Sequence, residues 1–204
     1  PSDKAAWNIE VSPFFSYVEN YIDADLCKYC DKQPTDGFYY LQMANHDAYL
    51  WGIDITADMH LFTHDKYGEF STNTVMSYVR GKRTDGDNLY HMMPFNLKWG
   101  IQHELGGFQS SIDMQFVDTK DDVQDVRNEL TTASYVLLNF KMRYEWEFIG
   151  LDFGVDNILD KQYFSPLSGV YIGDSNVMTL EGQSKQQNLA AQGRSVYVGV
   201  TLTY

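Results

Sequence analysis

Apolar and polar side chains alternate along most of this chain, most strictly at its end, where Val196, Val198, Val200, Leu202 and Tyr204 are separated by small or polar residues. A period of two predicts a β-strand with one face for an apolar medium and one for a polar medium. Chain ends usually fray, so a strand that uses the last residue is expected to close a sheet. The pattern recurs upstream. Ile149, Leu151, Phe153 and Val155 oppose Gly150, Asp152, Gly154 and Asp156, and the stripe Val136, Leu138, Phe140, Met142, Tyr144, Trp146 and Phe148 opposes Leu137, Asn139, Lys141, Arg143, Glu145 and Glu147. Phe108 to Phe116, Phe95 to Ile101 and Trp51 to Leu61 alternate in the same way, with weaker versions from Trp7 to Ile22 and Glu69 to Lys82.

These segments predict an all-β, antiparallel chain of about eight strands, near 5–22, 38–63, 68–82, 94–105, 107–117, 132–148, 149–157 and 194–204. Short links (His64 to Tyr67, Gly106-Gly107, Glu147 to Gly150) alternate with long ones (23–37, 83–93, 118–131 and 158–193). Tight turns at one end and long loops at the other are expected of a transmembrane β-barrel, with the last strand descending to the periplasm and every long loop outside. Aromatics form 15% of the chain, enough to populate two interfacial girdles. No window approaches the ~18 apolar residues of a membrane helix, which leaves strands as the spanning element. A small complete eight-stranded barrel acting as an adhesin or anchor is the alternative architecture, and a soluble lipocalin-like barrel is a third. Strands longer than the roughly 9–11 residues a membrane strand needs point instead to hairpins projecting from a larger barrel.

A net charge of −13 excludes nucleic acid as a partner, because nothing neutralises phosphates. No nucleophile and base pair, and no helix-borne metal motif, stands out, so no enzymatic activity and no cofactor is expected. Cys27 and Cys30, two residues apart in the first outer loop, suit a tight disulfide or a soft-metal pair. In Tyr90-His91-Met92-Met93 an imidazole beside thioethers would suit copper, or the segment could simply begin a strand. His46, His60, His64 and His103 are scattered, and Met178 stands alone in the longest loop. The acidic loop with Asp118, Asp121, Asp122, Asp125 and Glu129 lacks a calcium-loop spacing and reads as a solvated loop that could also meet divalent ions or lipopolysaccharide.

Gly154-Val155-Asp156-Asn157-Ile158-Leu159-Asp160-Lys161-Gln162-Tyr163 resembles the penultimate-strand motif G-V-x-N-L-F-D-K-x-Y of TonB-dependent outer-membrane receptors. Its Asn157, Asp160 and Tyr163 match that motif, and Gly193-Arg194-Ser195-Val196-Tyr197 resembles the family's P-G-R lead-in to the last strand, with Ala191-Gln192 where proline often stands. Asn45 to Asp54 is similar to the family's N-x-x-x-A-x-x-x-G-x-E strand, with Asp54 replacing Glu, and Asn128-Glu129-Leu130-Thr131-Thr132 is similar to the opening of the antepenultimate pair.

This resemblance implies that residues 1–204 are the C-terminal third of a barrel of about 22 strands, with the plug, the TonB-contacting box and the earlier strands outside this chain. No signal peptide begins the chain, so a mature product or an internal piece is expected. The implied function is import of a metal chelate such as an iron-siderophore, or of a metal such as copper, across the outer membrane of a Gram-negative bacterium. Tyr90, His91, Met92, Cys27 and Cys30 are the candidate ligand contacts. Implied partners are outer-membrane lipid and lipopolysaccharide, TonB-ExbB-ExbD through the plug, and the barrel-assembly machinery, which would read Val196, Val198, Val200, Leu202 and Tyr204. Lys98, Glu104, Lys141, Arg143, Glu145, Asp152 and Asp156 would form a polar wall for the plug.

Overall fold

A computed structural model of the chain describes residues 7–27, 40–172 and 186–203. Eight strands form one antiparallel meander: β1 (Trp7–Leu26), β2 (Leu41–His64), β3 (Gly68–Arg83), β4 (Asn96–Leu105), β5 (Phe108–Val117), β6 (Tyr135–Trp146), β7 (Ile149–Asp156) and β10 (Ser195–Leu202). The sheet runs from β1 at one edge to β10 at the other, and these two do not pair, so it is open. A closed eight-stranded barrel would need that pairing to satisfy both edges.

The alternation in sequence holds in space, because directly paired residues share a face. Val198 lies opposite Phe153, Phe153 opposite Met142, and Met142 opposite Ser110. Further along, Ile112 pairs with Ile101, Ile101 with Thr72, Thr72 with Met59 and Met59 with Trp7. One continuous face is therefore apolar, and it is exposed: Phe15 keeps 71% and Val198 73% of its surface open. So large an exposed apolar surface needs a partner or a lipid environment. Lys98, Glu104, Lys141, Arg143, Glu145, Asp152 and Asp156 all fall on the opposite, polar face, where Arg143 bridges Glu145 and Asp152.

Two aromatic levels cross the apolar face. Near the short turns Phe62 stacks on Phe70, Phe70 on His103, and His103 tilts against Phe108. Towards the long connections Tyr49, Trp51 and Tyr78 form a second row, and Phe95 meets Phe116. From Phe95 to His103 a strand covers about 26 Å, or about 20 Å after a tilt of ~40°, close to the ~25 Å apolar band of a membrane barrel. The strands β1 and β2 run on beyond the second row by about ten residues, so their hairpin projects past that band.

Several boundaries differ from expectation. The first strand reaches Leu26 rather than 22 because a bulge between Val18 and Tyr21, with Asn20 at φ 57°, absorbs the irregular pattern and restores pairing. A second bulge between His60 and Phe62 places Phe62, not Leu61, on the apolar face against Phe70. Strand β6 starts at Tyr135 rather than 132 and stops at Trp146, since Thr132 pairs with Lys120 outside the sheet and Glu147 turns the chain at φ 47°. The connection 158–193 is not uniform loop: β8 (Val170–Ile172) pairs with β9 (Gln186–Asn188) in a separate two-stranded sheet. A three-residue 3₁₀ turn, Asp125–Arg127, interrupts the connection between β5 and β6. No described helix is long and apolar enough to cross a membrane.

Candidate functional site

At the end of the sheet that carries the long connections, the loops close over one another through buried polar groups. Burial there is the reverse of that on the strands: Asp23, Arg83, Lys120 and Gln124 are each at most 4% exposed. Buried ions persist only when paired and hydrogen-bonded. The second bulge-shifted half of β1 turns Asp23 and Asp25 to the polar face, where β2 supplies His46 and β3 supplies Arg83.

Arg83 anchors the first cluster. Its guanidinium donates to Asp85, to Asp25 at 2.9 Å, and lies 3.6 Å from Asp87. His46 sits between the same carboxylates, with Nε2 3.1 Å from Asp25 and Nδ1 3.4 Å from Asp85. The Arg83 hydrogen bond holds the Asp85 carboxyl below the usual carboxylate range. The backbone closes the turn, Arg83 N–H donating to the Asp87 carbonyl at 2.8 Å and Gly86 N–H to the Arg83 carbonyl at 3.0 Å.

A second cluster centres on the connection between β5 and β6. The Glu129 carboxylate accepts the Lys120 ammonium at 2.5 Å, the His91 N–H at 3.0 Å and the Gln124 N–H at 2.9 Å. Lys120 also donates to the Pro166 carbonyl at 2.9 Å, and Asn188 donates to the Thr131 carbonyl at 2.9 Å, so three connections meet here. The same loop reaches the far edge of the sheet: Gln124 Nε2 donates to Asp23 at 2.6 Å and Arg127 at 3.2 Å. Arg80, at the end of β3, pairs with Asp122. A small apolar core of Val117, Tyr135 and Leu137, flanked by Met93 and Tyr163, lies beneath.

The expected contact residues fall within this layer. Tyr90 stacks on His91 with ring centroids 4.0 Å apart, and Arg127 caps the Tyr90 ring at 4.9 Å. Both line a cleft of about 250 Å³ with Glu129, Pro166 and Asn188. Met92 and Met93 line a neighbouring cleft of about 320 Å³ with Asp118, Asp121 and Asp122. Met93 also packs on the apolar core, which accounts for one thioether structurally. Cys27 is disulfide-bonded; Cys30, the chain's other cysteine, lies outside the described residues, as do Met178 and Tyr204. His60, His64 and His103 lie at the short-turn end, away from this layer. Among the described residues no three His, Cys, Asp or Glu side chains are placed to hold a metal ion.

The motif residues form a clamp beside the layer. Asn157, 3% exposed and at φ 51°, grips the Lys161 backbone at both N–H and carbonyl, each at 2.9 Å, while its own N–H donates to Asn139 at 2.8 Å. Asp160 accepts the Arg194 N–H at 3.0 Å and lies 3.4 Å from its guanidinium. The Tyr163 ring tilts against Tyr135 at 4.5 Å, and the Tyr163 backbone carbonyl accepts the Ala191 N–H at 3.0 Å. A Cβ on Gly193 would stand 3.3 Å from Asp160, so the lead-in backbone approaches closely there. On β10, Val196, Val198, Val200 and Leu202 lie on the apolar face opposite Val155, Phe153, Leu151 and Ile149.

Sequence reading missed the buried partners. The loop 118–131 is solvated at Asp118, Asp121 and Asp125, as expected, but the Glu129 side chain and Gln124 are buried there and Asp122 is paired. Asp23 and Arg127 are 104 positions apart, beyond the reach of any local pattern. The available signal was the pair of acids Asp23 and Asp25 in an otherwise apolar strand end.

Residues 3–158 match the family model described as TonB dependent receptor-like, beta-barrel. Solved structures share the fold across nearly the whole chain. The Copper transporter OprC aligns over 99% of this chain with a TM-score of 0.78 and 19% identity, and the ferric citrate transporter FecA in its unliganded form over 98% with 0.66 and 17%. The FrpB iron transporter from Neisseria meningitidis aligns over 98% with 0.65 and 11%. The chain spans 30%, 29% and 29% of those three chains. No curated protein sequence matches it. With the family model covering most of its length and the open meander superposing on receptor barrels, the chain belongs to the TonB-dependent receptor β-barrel family.

Proposed function

We propose that residues 1–204 are the C-terminal part of the barrel of an outer-membrane TonB-dependent receptor that imports a metal-bearing cargo from outside to periplasm. The observation that carries this reading is the interlocked loop layer at one end of a sheet whose other end has only tight turns. A rigid strand scaffold with its polar chemistry concentrated in long loops at one end suits capture of a ligand from that side. The exposed apolar face with two aromatic levels suits lipid contact, and the polar opposite face suits a plug contributed by the rest of the polypeptide. The barrel part breaks no bond in the cargo; TonB-ExbB-ExbD acts through that plug.

The cargo is a metal chelate such as an iron-siderophore, or a metal such as copper, which are the classes carried by the transporters that share the fold. Tyr90, His91 and Met92 contribute the contacts from this part, because they line the clefts among the second, third and last loops. Cys27 pins the end of β1 through its disulfide and does not ligate metal. The test is uptake of copper and of a panel of ferric chelates by cells carrying the full-length polypeptide, with and without TonB. TonB-dependent accumulation of one of them is expected, reduced by Tyr90→Ala and His91→Ala. Metal accumulation that is indifferent both to TonB and to the polypeptide would overturn the reading.

A further inference from the structure

We propose that the connection between β5 and β6 is a reversible strap, latched to Asp23 of β1, which in the latched state caps the Tyr90 ring of the second loop. This rests on the receptor reading above and adds a control on access to that contact.

The strap crosses the sheet. It leaves β5 and returns to β6, yet its middle is held by β1, four strand positions away in the order β1-β2-β3-β4-β5, or about 19 Å at ~4.8 Å per strand. The far attachment is a single side chain: the Asp23 carboxylate, 1% exposed, accepts Gln124 Nε2 at 2.6 Å and Arg127 at 3.2 Å. Both of these donors lie on the strap; the carboxylate also accepts the Ala24 N–H at 2.8 Å and lies 3.7 Å from the Arg83 guanidinium. The near attachment, Glu129 with Lys120, holds the strap to its own base and to the last loop through Pro166. Asp23 is therefore the strap's attachment to β1, while Arg80 on Asp122 and Asn88 on the Val123 carbonyl hold its leading part. Losing the Asp23 contact frees the part around Gln124 and Arg127 with the base still fixed.

Latching places the strap on the second loop. Arg127, oriented by Asp23, caps the Tyr90 ring at 4.9 Å, Glu129 takes the His91 N–H at 3.0 Å, and Asn88 donates to the Val123 carbonyl at 3.2 Å. The docking is also incompletely satisfied. Among the described residues four buried side-chain atoms lack a hydrogen-bond partner, and three of them, Gln124 Oε1, Arg127 Nε and Thr132 Oγ1, belong to this connection. Thr132 lies at the base, but Gln124 Oε1 and Arg127 Nε are on the docked part and gain no protein hydrogen bond there, so this contact returns less on docking than a saturated one would. A contact with that balance is suited to opening and closing.

Hydrogen exchange on the full-length polypeptide in outer-membrane vesicles reads this directly, with no cargo required. Amides of 124–128 should exchange at least about ten-fold faster than those of β5 and β6, and Asp23→Asn should accelerate them by about a further ten-fold while β1 to β3 keep their protection. Arg127→Gln, which leaves β1 intact, should do the same. Nitration of Tyr90 by tetranitromethane, scored by mass spectrometry, should rise in both variants as the ring is uncapped. Unchanged exchange and nitration in both would overturn the strap. So would acceleration spread equally over β1 to β3, because the contact would then be a support of the sheet and not a latch. If the polypeptide imports no metal, these readouts still stand or fall on their own.

Discussion

Asp160 accepts the backbone N–H of Arg194 at 3.0 Å, joining two stretches 34 positions apart that frame the last long connection. The bond holds the Asp160 carboxyl below its ordinary value of 3.8, with the nearby Arg194 charge adding to the effect. A depressed folded value means that the contribution is complete above 3.8 and is lost as pH falls through the folded value. Asp160→Ala should therefore melt below the parent at about pH 7 and about pH 5 by the same margin, and the margin should shrink near about pH 3. Thermal melting of the full-length protein in detergent at these three values checks it; a margin that grows on acidification would reverse the assigned sign.

Tyr197 lies over Gly154, its direct cross-strand partner, on the polar face. A Cβ at Gly154 would run into the Tyr197 ring. Gly154→Ala should cost about 1–3 kcal/mol through this overlap, and Tyr197→Ala should remove most of the penalty. A double-mutant cycle on the thermal midpoint measures the coupling. Additive losses would place the cause of the glycine elsewhere.

The strands were legible in the sequence because their signal is local: a period of two survives wherever one face meets an apolar medium. The faces were legible too, since Val155, Phe140 and Ile112 share the apolar face that alternation assigns them, although alternation does not choose among registers two residues apart. Bulges broke the reading at Leu61, where one extra residue reverses the faces without changing composition. The Asn157 and Asp160 turns were legible as a motif but not as mechanism. Their clamp depends on left-handed backbone at φ 51° and on a partner, Arg194, far along the chain. The loop layer was illegible for the same reason. Lys120, Gln124 and Asp23 look like ordinary surface residues until the connections that bury them are brought together.

The Lys120-Glu129 pair makes an asymmetric prediction. Glu129 serves an ammonium and two backbone N–H groups, while Lys120 is served by Glu129 and one carbonyl. Glu129→Ala strands a buried cation and two amides and should cost about 3–5 kcal/mol locally. Lys120→Met leaves the carboxylate with its two amide donors and should cost less. Hydrogen exchange over 118–132 in the two variants gives the order. The opposite order would mean that the ammonium, not the carboxylate, organises the layer.

The final strand makes a prediction about assembly. Val196, Val198, Val200 and Leu202 share the exposed apolar face, whereas Thr201 faces the polar side opposite Gly150. An Arg or Lys on the lipid side costs about 2–4 kcal/mol at the membrane midplane and an Asp less, whereas a charge on the polar side costs little. Val198→Asp should therefore reduce the amount of full-length protein assembled in the outer membrane, and Thr201→Asp should not. If the alternating tail ending in Tyr204 is read by the barrel-assembly machinery, deleting Tyr204 should lower assembly as well. Cargo affinity of the fraction that does assemble should stay near that of the parent, because the loop layer lies at the other end of the sheet. Heat-modifiable electrophoresis of outer-membrane fractions measures assembly, and metal-chelate binding to the same fractions measures affinity. Full assembly of the Tyr204 deletion would remove the terminal residue from that signal while leaving the face argument for Val198 intact.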